Sequence, residues 1–179
     1  MRVTLRIGGL FASFRPLVLD TVLGSCVAAC LYDPVAKAGG MNHFMLPDGA
    51  DANDPTSARY GVNAMELLIN ELLKMNAHRR RLQAKIFGAG HVLQVRERLG
   101  SVPQRNIEFI RKFLGTEGIP VIKEDLGGFR PRRVLFSTQT GTAYLRYLDQ
   151  THAVHTADTE MAYLDKMRNR KLDGDATLF

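Results

Sequence analysis

The sequence predicts an α+β fold: a mixed or antiparallel, β-sandwich-like core with helices packed outside it. Three observations lead there. Short apolar runs closed by glycine, proline or aspartate fill the first and last thirds of the chain. A helical period appears between them and again near the end. Glycine is plentiful at 16 residues and tryptophan is absent, a composition of strands and tight turns. Strands grouped at both ends with helices between them is an α+β order.

Residues 3–7 alternate and read as a first strand, ended by Gly8-Gly9. Residues 16–23 read as a second, with Asp20 and Thr21 as polar breaks, and Gly24-Ser25 as a turn. Residues 26–32 are a third apolar run, closed by Asp33-Pro34, and residues 38–46 a fourth, closed by Pro47. A polar loop is expected over 48–57. The period then changes: Val62, Met65, Leu68, Ile69, Leu72 and Leu73 recur every three or four residues, one face of a helix. Residues 82–87 form another strand before the Gly88-Ala-Gly90 turn. Ile107, Ile110, Phe113 and Leu114 mark a second helix, stopped by Gly115 or Gly118. Residues 119–123 are a strand, followed by the Asp125-Leu-Gly-Gly128 turn. Residues 133–137 and 142–147 read as a hairpin around Gly141. A last helix is expected over 157–170, with a frayed end from Asp173. One domain is expected over 1–150, with 151–179 as a C-terminal helix and tail.

Composition narrows the function. The 179 residues carry 45% apolar side chains, enough for one sizeable core. Formal net charge is +6, yet neither His78-Arg-Arg-Arg81 nor Arg130-Pro-Arg-Arg133 is interleaved with aromatics that stack on bases. Arg79, Arg80 and Arg81 read as solvated groups complementing the end of the preceding helix, so nucleic acid is not an expected partner. No stretch reaches the roughly 20 apolar residues of a membrane span, and residues 1–7 are too short and polar for a secretory leader. Cys26 and Cys30, on one extended strand, would stand roughly 13 Å apart, too far for a disulfide. The pair is expected reduced, in the cytoplasm.

The chemistry concentrates in Thr21-Val-Leu-Gly-Ser-Cys26 and Gly39-Gly-Met-Asn-His43. Gly24-Ser25 lets the backbone turn sharply just before Cys26 and present N–H groups to a developing oxyanion. Cys30, flanked by Ala28, Ala29 and Leu31, reads as a small hydrophobe. His43 is separated from Cys26 by one strand and one turn, and an imidazole there can take the thiol proton. His91 is the competing base; His78, His152 and His155 read as surface groups. Thr21 or Asp20 would fix the second imidazole nitrogen. Cys26, Cys30 and His43 lack a fourth ligand at zinc-like spacing, so no metal and no cofactor are expected.

At these residues the chain resembles the CheD family of bacterial chemoreceptor glutamine deamidases. The resemblance runs over residues 19–147. It comprises Thr21-Val-Leu-Gly-Ser-Cys-Val-Ala-Ala-Cys-Leu-Tyr-Asp-Pro34 and Gly39-Gly-Met-Asn-His-Phe-Met-Leu-Pro47. Arg59-Tyr-Gly61, Ala84-Lys-Ile-Phe-Gly-Ala-Gly90, Gln104-Arg-Asn106 and Asp125-Leu-Gly-Gly128 follow in the family's order. Pro131 and His91 depart from the family's pattern. The resemblance implies a fold related to toxin deamidases and a protein-glutamine glutaminase with Cys26 as nucleophile, His43 as base and Thr21 as the third member. It implies methyl-accepting chemoreceptor cytoplasmic domains as partners, with a CheC-type phosphatase as another. The alternative in a different class is a non-catalytic chemotaxis regulator that binds receptors or that phosphatase. A thiol redox switch through Cys26 and Cys30 is a third reading, disfavoured by their spacing.

Overall fold

The structure, a computed structural model, describes residues 1–46, 55–92 and 101–174. In chain order these form β1 (Arg2–Thr4), β2 (Leu10–Ser13), β3 (Val18–Leu23), β4 (Val27–Asp33), β5 (Ala38–Phe44) and α1 (Pro55–Leu73). A 3-10 turn (Arg79–Arg81) leads into β6 (Gln83–Gly88), α2 (Ser101–Thr116), β7 (Val121–Leu126), β8 (Arg132–Ser137), β9 (Ala143–Tyr147) and α3 (Gln150–Gly174). One sheet has the order β1-β3-β8-β9, the other β2-β5-β4-β6-β7. The β1–β3 and β6–β7 pairs are parallel and the rest antiparallel. The mixed α+β architecture expected from the sequence is the one observed.

Side-chain alternation explains the layers. Along β4, Ala28 and Cys30 join Leu19, Leu23, Met41, Met45, Val134 and Phe136 in a core between the two sheets. Val27, Ala29 and Leu31 point the other way, onto Met65, Leu68, Ile69 and Leu72 of α1 and Ile110 and Leu114 of α2. β4 and β5 are therefore covered on both faces, which is why their sequences read as nearly unbroken apolar runs.

Several boundaries differ from the sequence reading. β2 was not expected: it is a four-residue strand, mostly half-exposed, too short to show a period. Residues 55–57 open α1 rather than ending a loop, with Pro55 at the first helical position, where no N–H is needed. The rest of the expected loop, 48–54, lies outside the described residues. α2 runs through Gly115 and closes at Gly118, where Ile119 N–H donates to the Leu114 carbonyl at 3.0 Å. α3 begins at Gln150, so His152 and His155 lie within the helix rather than before it. The expected fray from Asp173 falls mostly outside the described residues.

The basic run is more than a solvated face. Arg79 pairs with Glu66 of α1 at 2.9 Å and with Glu117 beyond α2. Arg81 pairs with the buried Asp33 at the end of β4, also at 2.9 Å. Arg80 and His78 are exposed.

Candidate active site

The chain crosses from one sheet to the other at Gly24-Ser25-Cys26, between β3 and β4. Each carbonyl of this turn is held from behind. Gly90 N–H donates to the Gly24 carbonyl at 2.6 Å and Ala89 N–H to that of Cys26 at 2.6 Å. The Asn106 side-chain amide donates to the Ser25 carbonyl at 2.9 Å, and its oxygen accepts from Leu46 N–H at 3.0 Å. Gly88, at φ +114°, makes this approach possible: a Cβ there would stand 2.1 Å from the Cys26 carbonyl oxygen.

With the carbonyls turned away, the N–H groups converge on one point. That point holds the carboxylate of Glu160 from α3. Gly24 N–H donates to its Oε1 at 3.0 Å and Cys26 N–H at 3.2 Å. Ser25 N–H donates to Oε2 at 2.9 Å and the Ser25 hydroxyl at 2.6 Å. Three successive backbone donors and a hydroxyl make a concave anion site. A Cβ on residue 24 would come within 2.8 Å of that carboxylate.

The Cys26 thiol lies at the edge of this nest, fully buried, with Sγ 3.7 Å from Sδ of Met45. Burial pushes its pKa well above the usual thiol value, and the adjacent Glu160 carboxylate pushes it further. Cys26 and Cys30 are both free and buried.

His43 sits on β5 opposite Ala28. Extending that register by two residues puts Cys26 opposite Met45, so Cys26 and His43 are diagonal neighbours on one face. Such neighbours stand roughly 7–8 Å apart along the backbone; no hydrogen bond joins the thiol to the ring, since Sγ donates to Sδ of Met45 and Nε2 has no partner. Nδ1 of His43 lies 2.8 Å from the Thr21 hydroxyl, which donates its own proton to the Leu5 carbonyl at 2.9 Å. With that proton committed, Thr21 accepts from Nδ1–H. Nε2 is buried without a partner. A bare lone pair is the cheaper occupant of such a place than an orphaned N–H, so Nε2 is the free base. Burial pushes the ring's pKa down to about 4, against a small opposing effect of the Leu5 carbonyl.

Of the sequence-selected residues, Thr21 and His43 are in contact, and Cys26 lies on the same face of the neighbouring strand, one diagonal away. Asp20 lies on the other face of β3, buried beneath Arg2 and Arg133, each of which binds it through Nε at 2.9 Å. Burial alone would raise its carboxyl pKa, but the Arg133 and Arg2 guanidinium groups bring it below the ordinary value. His91 packs its ring against Phe129, with centroids 6.0 Å apart. His152 and His155, exposed on α3, line a slot of about 220 Å³ with Ile7, Val22, Thr156 and His43. Sequence reasoning missed Glu160, whose stripe Thr156, Glu160, Leu164 is buried yet carries little apolar signal. It noted Asn106 only as part of a motif.

Comparison with known proteins identifies the family. The family model described as CheD chemotactic sensory transduction matches residues 45–147. A Stenotrophomonas maltophilia protein named probable chemoreceptor glutamine deamidase CheD is 48% identical over 161 residues, covering 90% of this chain and 80% of its own. A Laribacter hongkongensis protein of the same name is 41% identical over 177 residues, covering 96% and 84%. Spans of that share take in Cys26 and His43. A solved structure, the hypothetical protein YfiH of Bacillus licheniformis, aligns with 65% of this chain and 49% of its own at 18% identity and a TM-score of 0.43; that likeness is too distant to bear on the chemistry. From the family match and these relatives together, the chain is a member of the CheD family.

Proposed function

We propose that this protein hydrolyses glutamine side chains on chemotaxis receptors to glutamate, with Cys26 as nucleophile, His43 as base and Thr21 holding the imidazole. The name of the relatives, chemoreceptor glutamine deamidase, supplies the substrate class. The observation that carries the mechanism is the convergence of the Gly24, Ser25 and Cys26 N–H groups beside the thiol. Donors fixed before reaction stabilise a tetrahedral oxyanion without reorganising.

Nε2 of His43 takes the thiol proton, and Sγ attacks the side-chain amide carbon. The oxyanion settles among the N–H donors. His43 returns the proton to the departing nitrogen, the C–N bond breaks and ammonia leaves. Water, deprotonated by the same imidazole, hydrolyses the thioester and regenerates the thiol. The receptor gains one negative charge, which changes repulsion between neighbouring helices.

Residues 1–150 form the deamidase unit in this reading, working in the cytoplasm on the receptors' cytoplasmic domains. A CheC-type phosphatase is the further partner we propose, on family resemblance. The test is mass spectrometry of a receptor cytoplasmic fragment incubated with the protein. Gln-to-Glu conversion is expected with the parent chain and absent with Cys26→Ala; conversion at an equal rate by both overturns the mechanism.

A further inference from the structure

The ligand already in the nest is the chain's own. Glu160 is 1% exposed, and on the same stripe of α3 Thr156 and Leu164 are 8% and 3% exposed. Its carboxylate takes up all four donors of the Gly24–Cys26 turn. Glutamate is also the side chain that deamidation of a glutamine leaves behind, at the same length and on the same number of methylenes. We propose that α3 is an internal product mimic: it seats Glu160 where the substrate's side-chain amide must bind, and the site works only when this helix is displaced. This rests on the deamidase reading for the identity of the mimicked product, but not for the closure itself.

Three features support it. The nest offers only donors, which suits a carboxylate; a carboxamide must set its NH₂ against one of them. The closed helix therefore holds more tightly than a substrate glutamine in the same pose. The Glu160 charge beside Sγ, together with burial, disfavours the thiolate, so the closed state is also chemically quiet. Finally, α3 is the last element described and belongs to neither sheet; it is held by side chains, Leu164 with Met161 and Tyr163 packing against the core between the sheets. The Tyr163 hydroxyl also meets that of Tyr60 on α1. Both strand ladders are complete without it, so its displacement breaks no strand pairing.

The experiment uses the full chain. Native protein is treated with iodoacetamide and the two cysteines are followed by peptide mass spectrometry in the parent, in Glu160→Ala and in Leu164→Ser, which loosens α3 while keeping the Glu160 carboxylate. Receptor-fragment deamidation is measured on the same samples. Expected is Cys26 alkylation at least about tenfold faster in both variants, as access and thiolate character return, with Cys30 still unreactive and deamidation rising in parallel. The proposal is overturned if Cys26 reacts equally fast in parent and variants. It is also overturned if Cys30 becomes reactive alongside Cys26 in both variants, because α3 would then be holding the core together. Faster Cys26 alkylation with no receptor conversion by any form keeps the closure and sinks the deamidase reading. Unchanged alkylation with normal conversion does the reverse.

Discussion

The Thr21 hydroxyl stands 2.8 Å from Nδ1 of His43 while giving its own proton to Leu5. It therefore acts as an acceptor that fixes both the ring plane and the tautomer. Thr21→Val keeps the shape and removes the acceptor. The expected result is a fall in kcat for receptor deamidation of about 10- to 100-fold, part of the contribution of a well-placed acid–base group, with KM little changed. Thr21→Ser should recover most of the rate. Ammonia release from a receptor fragment measures both; equal loss in the valine and serine variants would make the methyl group, not the hydroxyl, the important part.

Glu160→Gln turns the internal product mimic into an internal substrate. In the docked pose its carboxamide lies beside Sγ of Cys26, so this variant should slowly convert residue 160 back to glutamate during storage. The peptide spanning residue 160 should show the Gln-to-Glu mass change, and the Glu160→Gln, Cys26→Ala double variant should not. Conversion at the same rate in both chains would point to uncatalysed hydrolysis.

His43 gives stability a pH dependence. Its folded pKa of about 4 lies below the ordinary 6.5 because burial disfavours the imidazolium. Below 6.5 the unfolded chain takes up a proton that the folded chain refuses, so stability is full above pH 6.5 and is lost as pH falls toward 4. At roughly 1.4 kcal/mol per unit the loss approaches about 3 kcal/mol. Urea unfolding of the parent and of His43→Asn at pH 7, 5.5 and 4 isolates this share, and the asparagine variant should show a shallower decline over that interval.

Asn106 links three pieces of chain through two buried bonds, to the Ser25 carbonyl and the Leu46 N–H. Asn106→Ala leaves both groups unsatisfied and should cost about 2–4 kcal/mol, read as a shift in the urea midpoint. Asn106→Asp keeps the acceptor for Leu46 and loses the donor to Ser25. It sets a buried carboxylate oxygen against the Ser25 carbonyl, so it should be at least as destabilised as the alanine variant and should slow deamidation by pushing that carbonyl away.

Much of this was legible in the residues themselves. Strand breaks at Gly24-Ser25 and Asp33-Pro34, the helical period over 62–73 and the hairpin around Gly141 all follow from local chemistry. The choice between Asp20 and Thr21 stayed open in the sequence and follows only once Leu19 and Leu23 are seen buried between the sheets: Thr21 shares their face and Asp20 does not. Glu160 was not legible. Its burial depends on which side of α3 meets the nest, and a Thr-Glu-Leu stripe looks like an exposed one until the partner surface is known. β2 was hidden by brevity. Arg79 and Arg81 were misjudged because their acidic partners Glu66, Glu117 and Asp33 are 13, 38 and 48 positions away in sequence.

Thr21 hangs from one sheet, His43 from the other, and Cys26 from the strap between them. Under the proposed mechanism, turnover is a gauge of how the two halves of the sandwich are seated. A compact, loosened state that keeps its strands but lets the layers slide would still give a normal far-ultraviolet spectrum and yet be inert. On warming, activity should vanish together with the near-ultraviolet signal, ahead of any loss of strand content.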